Sequence, residues 1–261
     1  MRIVQISDAH IFTDIQYGKL LGLNTAVSFE AVLQLVESNT KSPDLIILTG
    51  DLSQDETSPA YQHIAKSCER FKCPIYWIPG NHDNPALMYQ IFNKTQLKDE
   101  KAILLGNWLF ILLNSHYPKH VDGLLAKTEF FHLQHYLSLH PKQHTMVFLH
   151  HPPVSVGSKW VDNLALKNAK ELFNITDKHP QIKAIVCGHV HQEFHTTRKN
   201  VHIYTTPSTC IQFKSNSQNF KLDKLNPGYR WFDLNANGTF NTGIERLINF
   251  DNTVDFTSKG Y

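Results

Sequence analysis

The sequence predicts an α/β fold in which two β-sheets are flanked by helices. Three observations predict it. Short apolar runs of strand length alternate with segments of helical period through the first two thirds of the chain. The last third turns to hairpins. Of 261 residues, 41% are hydrophobic and 18% charged, which is enough apolar surface for a large core and excludes disorder as the main state. The expectation is a single domain over residues 1–261, with 207–261 as a β-rich C-terminal extension or cap.

The elements follow in order. Residues 3–6 read as a strand, and 24–38 as a helix with Val27, Ala31, Val32, Leu35 and Val36 on one face. Residues 45–48 form a buried strand. Ser58-Pro59 then supplies an N-cap and a first-turn proline to a helix that aligns Tyr61, Ile64, Ala65 and Cys68. Residues 75–78 are a third strand. Gly106-Asn107 separates the runs 103–105 and 108–113 as a hairpin turn. Residues 127–139 are helical, and strands at 146–149 and 184–187 enclose a helix near 164–173. Further strands are expected at 193–197, 201–205, 229–234 and 239–246, with Asn237-Gly238 as the last turn.

Charge and cysteine content narrow the partners. Lys and Arg total 25 against 23 Asp and Glu, a net charge of +2. That balance is too weak to argue for nucleic acid or an anionic membrane. No apolar run approaches the roughly 18 residues of a membrane span. The N-terminus lacks the apolar core and cleavage site of a signal peptide, so a soluble, cytoplasmic protein is expected. Cys68, Cys73, Cys187 and Cys210 show no metal-clip spacing and read as reduced, mostly buried thiols. Histidine is abundant, at 16 residues, and is the side chain that binds transition metals and moves protons near neutral pH.

Five short loops follow five of the strands. They are Asp8-Ala9-His10, Gly50-Asp51, Gly80-Asn81-His82-Asp83, His150-His151 and Gly188-His189-Val190-His191. Beyond the carboxyl ends of strands is where α/β sheets bind ligands, so loops distant in sequence can converge there. Their donors are carboxylate, amide oxygen and imidazole, a set that suits Mn, Fe or Zn. They exceed what one ion needs, and a shared carboxylate bridging two ions would use them all. Each loop alone is weak evidence, because Gly-Asp is an ordinary turn and Asp83 serves equally as a helix cap or as an orienter of His82. Their joint occurrence, each after a strand, carries the reading.

This series resembles the calcineurin-like metallophosphoesterases, and within them the bacterial class III cyclic-nucleotide phosphodiesterases. Residues 21–25, 49–55, 79–83, 187–192, 206–213 and 227–230 carry the closer likeness, which runs from Ile3 to Gly260-Tyr261. The resemblance implies an αββα four-layer sandwich of two mixed β-sheets and a site for two divalent transition-metal ions, Fe or Mn. One ion would be held by Asp8, His10, Asp51 and His191. The other would be held by Asp51, Asn81, His150 and His189, with Asp51 as the bridge. His82 would contact the phosphate and protonate the leaving oxygen, and His10, Asp51, Asn81, His82 and His191 would line the substrate.

The implied reaction is hydrolysis of 3′,5′-cyclic AMP to 5′-AMP by a hydroxide bridging the two metals. An alternative is a 2′,3′-cyclic nucleotide or broad-specificity phosphodiesterase on the same site. A non-catalytic scaffold would have lost ligands, and here every ligand position is filled. A nuclease needs a basic groove, and a lipid-A-pathway pyrophosphatase needs an apolar insertion; neither is found. The expected partner is a small cyclic nucleotide, with no nucleic acid and no membrane. Oligomeric state is unreadable, a homodimer being one option. Phe12, Tyr17 and Trp160 are candidates for a base-facing aromatic, with ordinary packing as the competing reading. His151 reads as a supporting residue beside a ligand. Tyr229, Arg230 and Gly260-Tyr261 are open to a lid or a subunit contact. Most remaining histidines, among them His63, His116, His120, His132, His135, His140 and His144, read as solvated surface.

Overall fold

In the computed structural model, which describes residues 1–39, 41–251 and 253–260, the strand–helix alternation is realised along the chain. It begins with β1 (Arg2–Ile6), β2 (Lys19–Leu20), β3 (Leu23–Asn24), α1 (Thr25–Ser38), β4 (Leu45–Thr49), α2 (Ser58–Cys68), β5 (Ile75–Ile78) and α3 (Pro85–Phe92). It continues with β6 (Leu97–Lys98), β7 (Ala102–Leu105), β8 (Trp108–Leu112), α4 (Lys127–Leu139), β9 (His144–Leu149), α5 (Lys159–Asp162), α6 (Ala169–Thr176) and β10 (Ile182–Cys187). The last third holds β11 (Phe194–Arg198), β12 (Val201–Thr205), β13 (Gln212–Phe213), β14 (Leu222–Asp223), β15 (Gly228–Leu234) and β16 (Phe240–Arg246).

Among the described residues the strands form two six-stranded sheets, in the orders β16-β15-β1-β4-β5-β6 and β11-β12-β10-β9-β8-β7. Both are mixed. In the first, β1, β4, β5 and β6 are parallel and β15 returns antiparallel to β1. In the second, β8, β9, β10 and β12 are parallel, and β7 and β11 are antiparallel edges. The central strands are buried on both faces, which explains why they read as continuous apolar runs.

The period-2 alternation of strands sorts their side chains into layers. Ile3, Leu45 and Ile47 point inward and meet Phe110, Phe148 and Val186 of the second sheet. Val4, Ile6, Ile46 and Leu48 point outward and pack under α1, α2 and α3 through Phe29, Tyr61 and Phe92. Leu109, Val147 and Ile185 pack under α4 and α6 through Leu133 and Leu172. The order is helix, sheet, sheet, helix, the expected four-layer sandwich.

Local signals place the helix starts. The Asn24 side chain accepts from Val27 N at 3.0 Å and caps α1, and Asn84 caps α3 by accepting from Leu87 N at 3.1 Å. Three expectations shift. The buried stripe of α1 runs through Ala26, Phe29, Val32, Leu33 and Val36, so Val27 stands 59% exposed rather than inward. The 3.6 repeat permits either neighbouring stripe, and Phe29 with Leu33 buries more apolar surface. The cap of α2 is Thr57, one residue earlier than Ser58. The helix expected near 164–173 is α6, which starts later, at Ala169, and is preceded by the single turn α5. The C-terminal segment divides: β15 and β16 complete the first sheet, while 207–223 passes beside the carboxyl ends of the parallel strands.

Candidate metal centre

The carboxyl ends of β1, β4, β5, β9 and β10 open on one edge of the sandwich, and the five loops meet there. Backbone hydrogen bonds tie them: Asp8 N donates to Gly50 O (3.0 Å), His10 N to Asp51 O (2.9 Å) and Gly188 N to His150 O (3.0 Å). Asp8, His10, Asp51, His189 and His191 hold φ of 57°, 49°, 50°, 68° and 46°, in the left-handed region that non-glycine residues seldom enter. Gly80 lies against Asp51 so closely that a Cβ there would stand 2.2 Å from Asp51 Oδ1, and only glycine permits this approach.

The side chains converge. His150 Nε2 lies 3.2 Å from Asp51 Oδ2 and 3.9 Å from Asp8 Oδ1. His191 Nε2 is 3.4 Å from Asp8 Oδ1, and His10 Nε2 is 3.8 Å from Asp51 Oδ2. One potential ligand atom each from Asp8, Asp51 and His150 falls within a 4.8 Å cluster, and the same holds for His10, Asp51 and His82. Asp51 therefore stands between two donor groups. His82 is half-buried at the rim, donates its backbone N–H to Asp51 Oδ1 at 2.8 Å, and sets its ring 5.0 Å from that of His10. Asn81 is likewise at the rim.

Three of the four candidate ligand histidines are held from behind. His10 Nδ1 is 2.6 Å from Gln54 Oε1, His150 Nδ1 2.7 Å from Thr49 O, and His191 Nδ1 2.9 Å from Ile211 O. A carbonyl can only accept, so Nδ1 carries the proton and Nε2 turns its lone pair inward, the arrangement of metal-ligating imidazoles. The His10 and His191 Nε2 atoms then face each other at 3.2 Å, a meeting of two lone pairs that a shared cation would relieve. Asn81 Oδ1, His150 Nε2 and His189 Nε2 are buried without a hydrogen-bond partner among the described residues. Orphaned buried acceptors of this kind are costly and rare, and they are donors expected of the second ion. The residues present fit two transition-metal ions.

Electrostatics agree. Burial raises the Asp8 carboxyl, but His191 and His150 outweigh it and hold it below its ordinary value. Burial is likewise outweighed at Asp51, where His150, His82 and His10 keep the carboxyl well below the usual range. Burial pushes His10 down to about 3 and His189 well below the usual imidazole value, so both are neutral and able to ligate. Burial also opposes protonation of His150, but Asp51 prevails and raises it to about 9. A cation held by Asp51 and His150 would take the place of that proton.

His151 supports the site as its place beside a ligand suggests, whereas Asp83 has neither of the parts its position offers. Asp83 neither caps α3 nor holds the His82 ring. Its buried carboxylate accepts from Leu52 N (3.1 Å), Ser53 N (3.1 Å), Gly80 N (2.9 Å) and Tyr61 Oη (3.2 Å), clasping the second loop to the third. Burial, then the charge of Asp51, pushes it up to about 6. Gln54 positions His10. Cys210 Sγ lies within 4.8 Å of ring nitrogens of His10 and His191, but burial pushes the thiol up to about 12 and it donates to Asp8 O. His151 is fully engaged, by Ser115 Oγ at 2.8 Å and Val121 O at 3.1 Å, and walls the site beside His189.

Of the other candidates, Trp160 borders the site while Phe12 packs into the cluster around Leu20 and Tyr17 is 68% exposed. Tyr229 and Arg230 are buried in β15; Arg230 donates to Thr205 O at 2.9 Å, so neither forms a lid. Gly260 lines the cavity beside His82, and Tyr261 lies outside the described residues. No helix among the described residues is long and apolar enough to cross a membrane.

Known proteins resemble this chain. Residues 1–193 match the calcineurin-like phosphoesterase family. The chain is 38% identical to the 3′,5′-cyclic adenosine monophosphate phosphodiesterase CpdA of Escherichia coli K12, over 100% of this chain and 95% of that one. It is 41% identical to the 3′,5′-cyclic-nucleotide phosphodiesterase alr5338 of Nostoc, over 94% and 92%. Its fold is similar to that of a dimetal phosphatase from Danio rerio, with TM-score 0.65 and 14% identity over 89% of this chain and 94% of that one.

Proposed function

The chain belongs to the calcineurin-like phosphoesterase family, and on that premise we propose that it hydrolyses 3′,5′-cyclic AMP to 5′-AMP at a dinuclear metal centre. The observation that carries the reading is the set of inward-facing, orphaned donors at Asn81, His150 and His189 beside the shared carboxylate of Asp51, in a chain alike over its whole length to cyclic-nucleotide phosphodiesterases. Asp8, His10, Asp51 and His191 would hold one ion, and Asp51, Asn81, His150 and His189 the other. The nitrogen and oxygen donor set suits Mn, Fe or Zn, and the family resemblance favours Fe or Mn. When bound, two such ions polarise the phosphate oxygens and acidify water toward neutral pH.

The rest is the work of the chain. Gln54, Thr49 O and Ile211 O hold the imidazoles of His10, His150 and His191 in place ahead of the reaction. The His151 ring closes the back wall. His82, at the rim, is placed to donate a proton to the ribose 3′ oxygen as the phosphorus–oxygen bond breaks, which a poor alkoxide leaving group requires. Asn81 and His82 both line the cavity where the nucleotide enters. The free thiols at Cys68, Cys73, Cys187 and Cys210 support a cytoplasmic setting.

The test is kcat/KM for 3′,5′- and 2′,3′-cyclic nucleotides on protein loaded with Mn or Fe, with metal content measured. The expected result is two metals per chain and a preference for 3′,5′-cyclic AMP. A preference for the 2′,3′ set overturns the substrate, and a metal-free, inactive protein overturns the enzyme reading.

A further inference from the structure

A cavity of about 330 Å³ opens beside the metal cluster. Asn81, His82 and His189 line one side, and Trp160, Phe213 and Phe220 the other. The volume is at the small end of ligand pockets and suits one nucleotide rather than a strand. The three aromatic residues come from separate places: α5, β13 and the turn before β14. Trp160 meets Phe213 and Phe220 edge to face, with ring centroids 4.9 and 5.1 Å away. Phe213 in turn lies flat on the His191 ring at 4.2 Å and 11°. The aromatic wall is thus keyed to a residue of the metal cluster, and a phosphate held at the cluster has that wall one ring away. Trp160 Nε1 is buried with no hydrogen-bond partner among the described residues, whereas a buried indole N–H ordinarily finds an acceptor.

We propose that Trp160, with Phe213 and Phe220, forms the subsite for the nucleobase, and that Trp160 determines specificity for base-bearing phosphate esters. This rests on the cyclic-nucleotide reading above. An aromatic face takes any base by stacking, and the indole N–H offers a donor to a ring nitrogen of a purine. The Phe213 ring, fixed by His191, sets the distance between base and phosphate.

The experiment compares dissociation constants for 5′-AMP and ribose 5-phosphate on the Mn-loaded protein by calorimetry, beside turnover of 3′,5′-cyclic AMP. The wild type is expected to prefer 5′-AMP by about 5- to 150-fold, the range that base–aromatic stacking carries in alanine substitutions. Trp160→Ala brings the ratio toward parity, and Trp160→Phe, which keeps a face and loses the N–H, retains part of it. Where Trp160→Ala does not fold, Phe220→Leu is expected to lower the same ratio. A wild-type ratio at parity, or a ratio unmoved in folded, metal-loaded variants, overturns the subsite. The two readings separate cleanly. Absent cyclic AMP turnover with a Trp160-dependent ratio rejects the phosphodiesterase and supports the subsite; normal turnover with an unmoved ratio rejects the subsite alone.

Discussion

Asp83→Asn isolates the clasp between two ligand loops from the ligands themselves. The native carboxylate offers two acceptor oxygens to three backbone N–H groups and the Tyr61 hydroxyl. An asparagine keeps one oxygen and turns an amide toward donors. If it keeps the oxygen facing Ser53, the Gly80 N–H bond of 2.9 Å is lost and that of Leu52 weakened. One unsatisfied buried donor, the Gly80 N–H, beside one weakened bond gives a loss of about 1–3 kcal/mol. One effect opposes it: the buried charge of Asp83 is repelled by Asp51, and the amide relieves that. Bound cations neutralise Asp51, so the relief counts mainly in the metal-free protein. The loaded variant should therefore melt about 2–12 °C lower, at roughly 2–4 °C per kcal/mol for a chain of this size, and the metal-free variant should drop by less. Its metal affinity should fall about 10–100-fold, as for other residues that orient ligands. Thermal melts with and without Mn, and metal content at limiting Mn, are the assays. An unchanged melting temperature with unchanged metal content refutes the clasp.

Four further outcomes follow. His82→Ala should lose about 10²–10⁴-fold in kcat with full metal occupancy; a normal rate with both ions present removes its role as proton donor. Gly80→Ala drives a methyl to 2.2 Å from Asp51 Oδ1 and should deplete metal, as elemental analysis would report, whereas Gly106→Ala has open space and only a left-handed φ of 58° to meet, about 1–2 kcal/mol. Gln54→Ala removes the acceptor behind His10 and should weaken metal binding about 10–100-fold while leaving the fold intact by circular dichroism. Asp233 accepts from Arg2 at 2.9 and 3.0 Å, and that hydrogen bond first of all lowers its carboxyl. A lowered carboxyl stabilises the folded state above the ordinary carboxylate pKa of about 4 and stops doing so as pH falls through its folded value. Asp233→Asn should thus flatten the acid limb of the melting profile, costing at most about 1 kcal/mol at pH 7 because the pair is partly solvated; parallel profiles would contradict this.

The convergence of the candidate metal-site residues was legible because each lies in a short motif immediately after a strand, and strand ends are local features. The layers were legible for a related reason: Ile3 and Val4, adjacent in sequence, fall into different cores by period alone. What escaped is relational. Asp83 acts on loops that only the fold brings to it, and the nearer signal, a helix starting at Pro85, belongs to Asn84. Phe213, in a two-residue strand, and Phe220, in irregular chain, are single aromatics, and nothing in their spacing distinguishes a cavity wall from packing. The face of α1 was misjudged by one neighbour because a 3.6 repeat fits two adjacent stripes, and residue size breaks the tie.

The left-handed backbone at Asp8, His10, Asp51, His189 and His191 bears on how such a protein changes over generations. Aspartate, asparagine and histidine are among the residues that enter this region most readily. Chain shape and donor chemistry therefore ask for the same few side chains. Glutamate preserves the charge of Asp51 but meets resistance from the backbone; asparagine suits the backbone and removes the charge. A lineage released from selection for turnover has an easy first step, Asp to Asn, that leaves the loops folded while weakening the metals. Ancestry and fold would persist in such a descendant after the chemistry had gone.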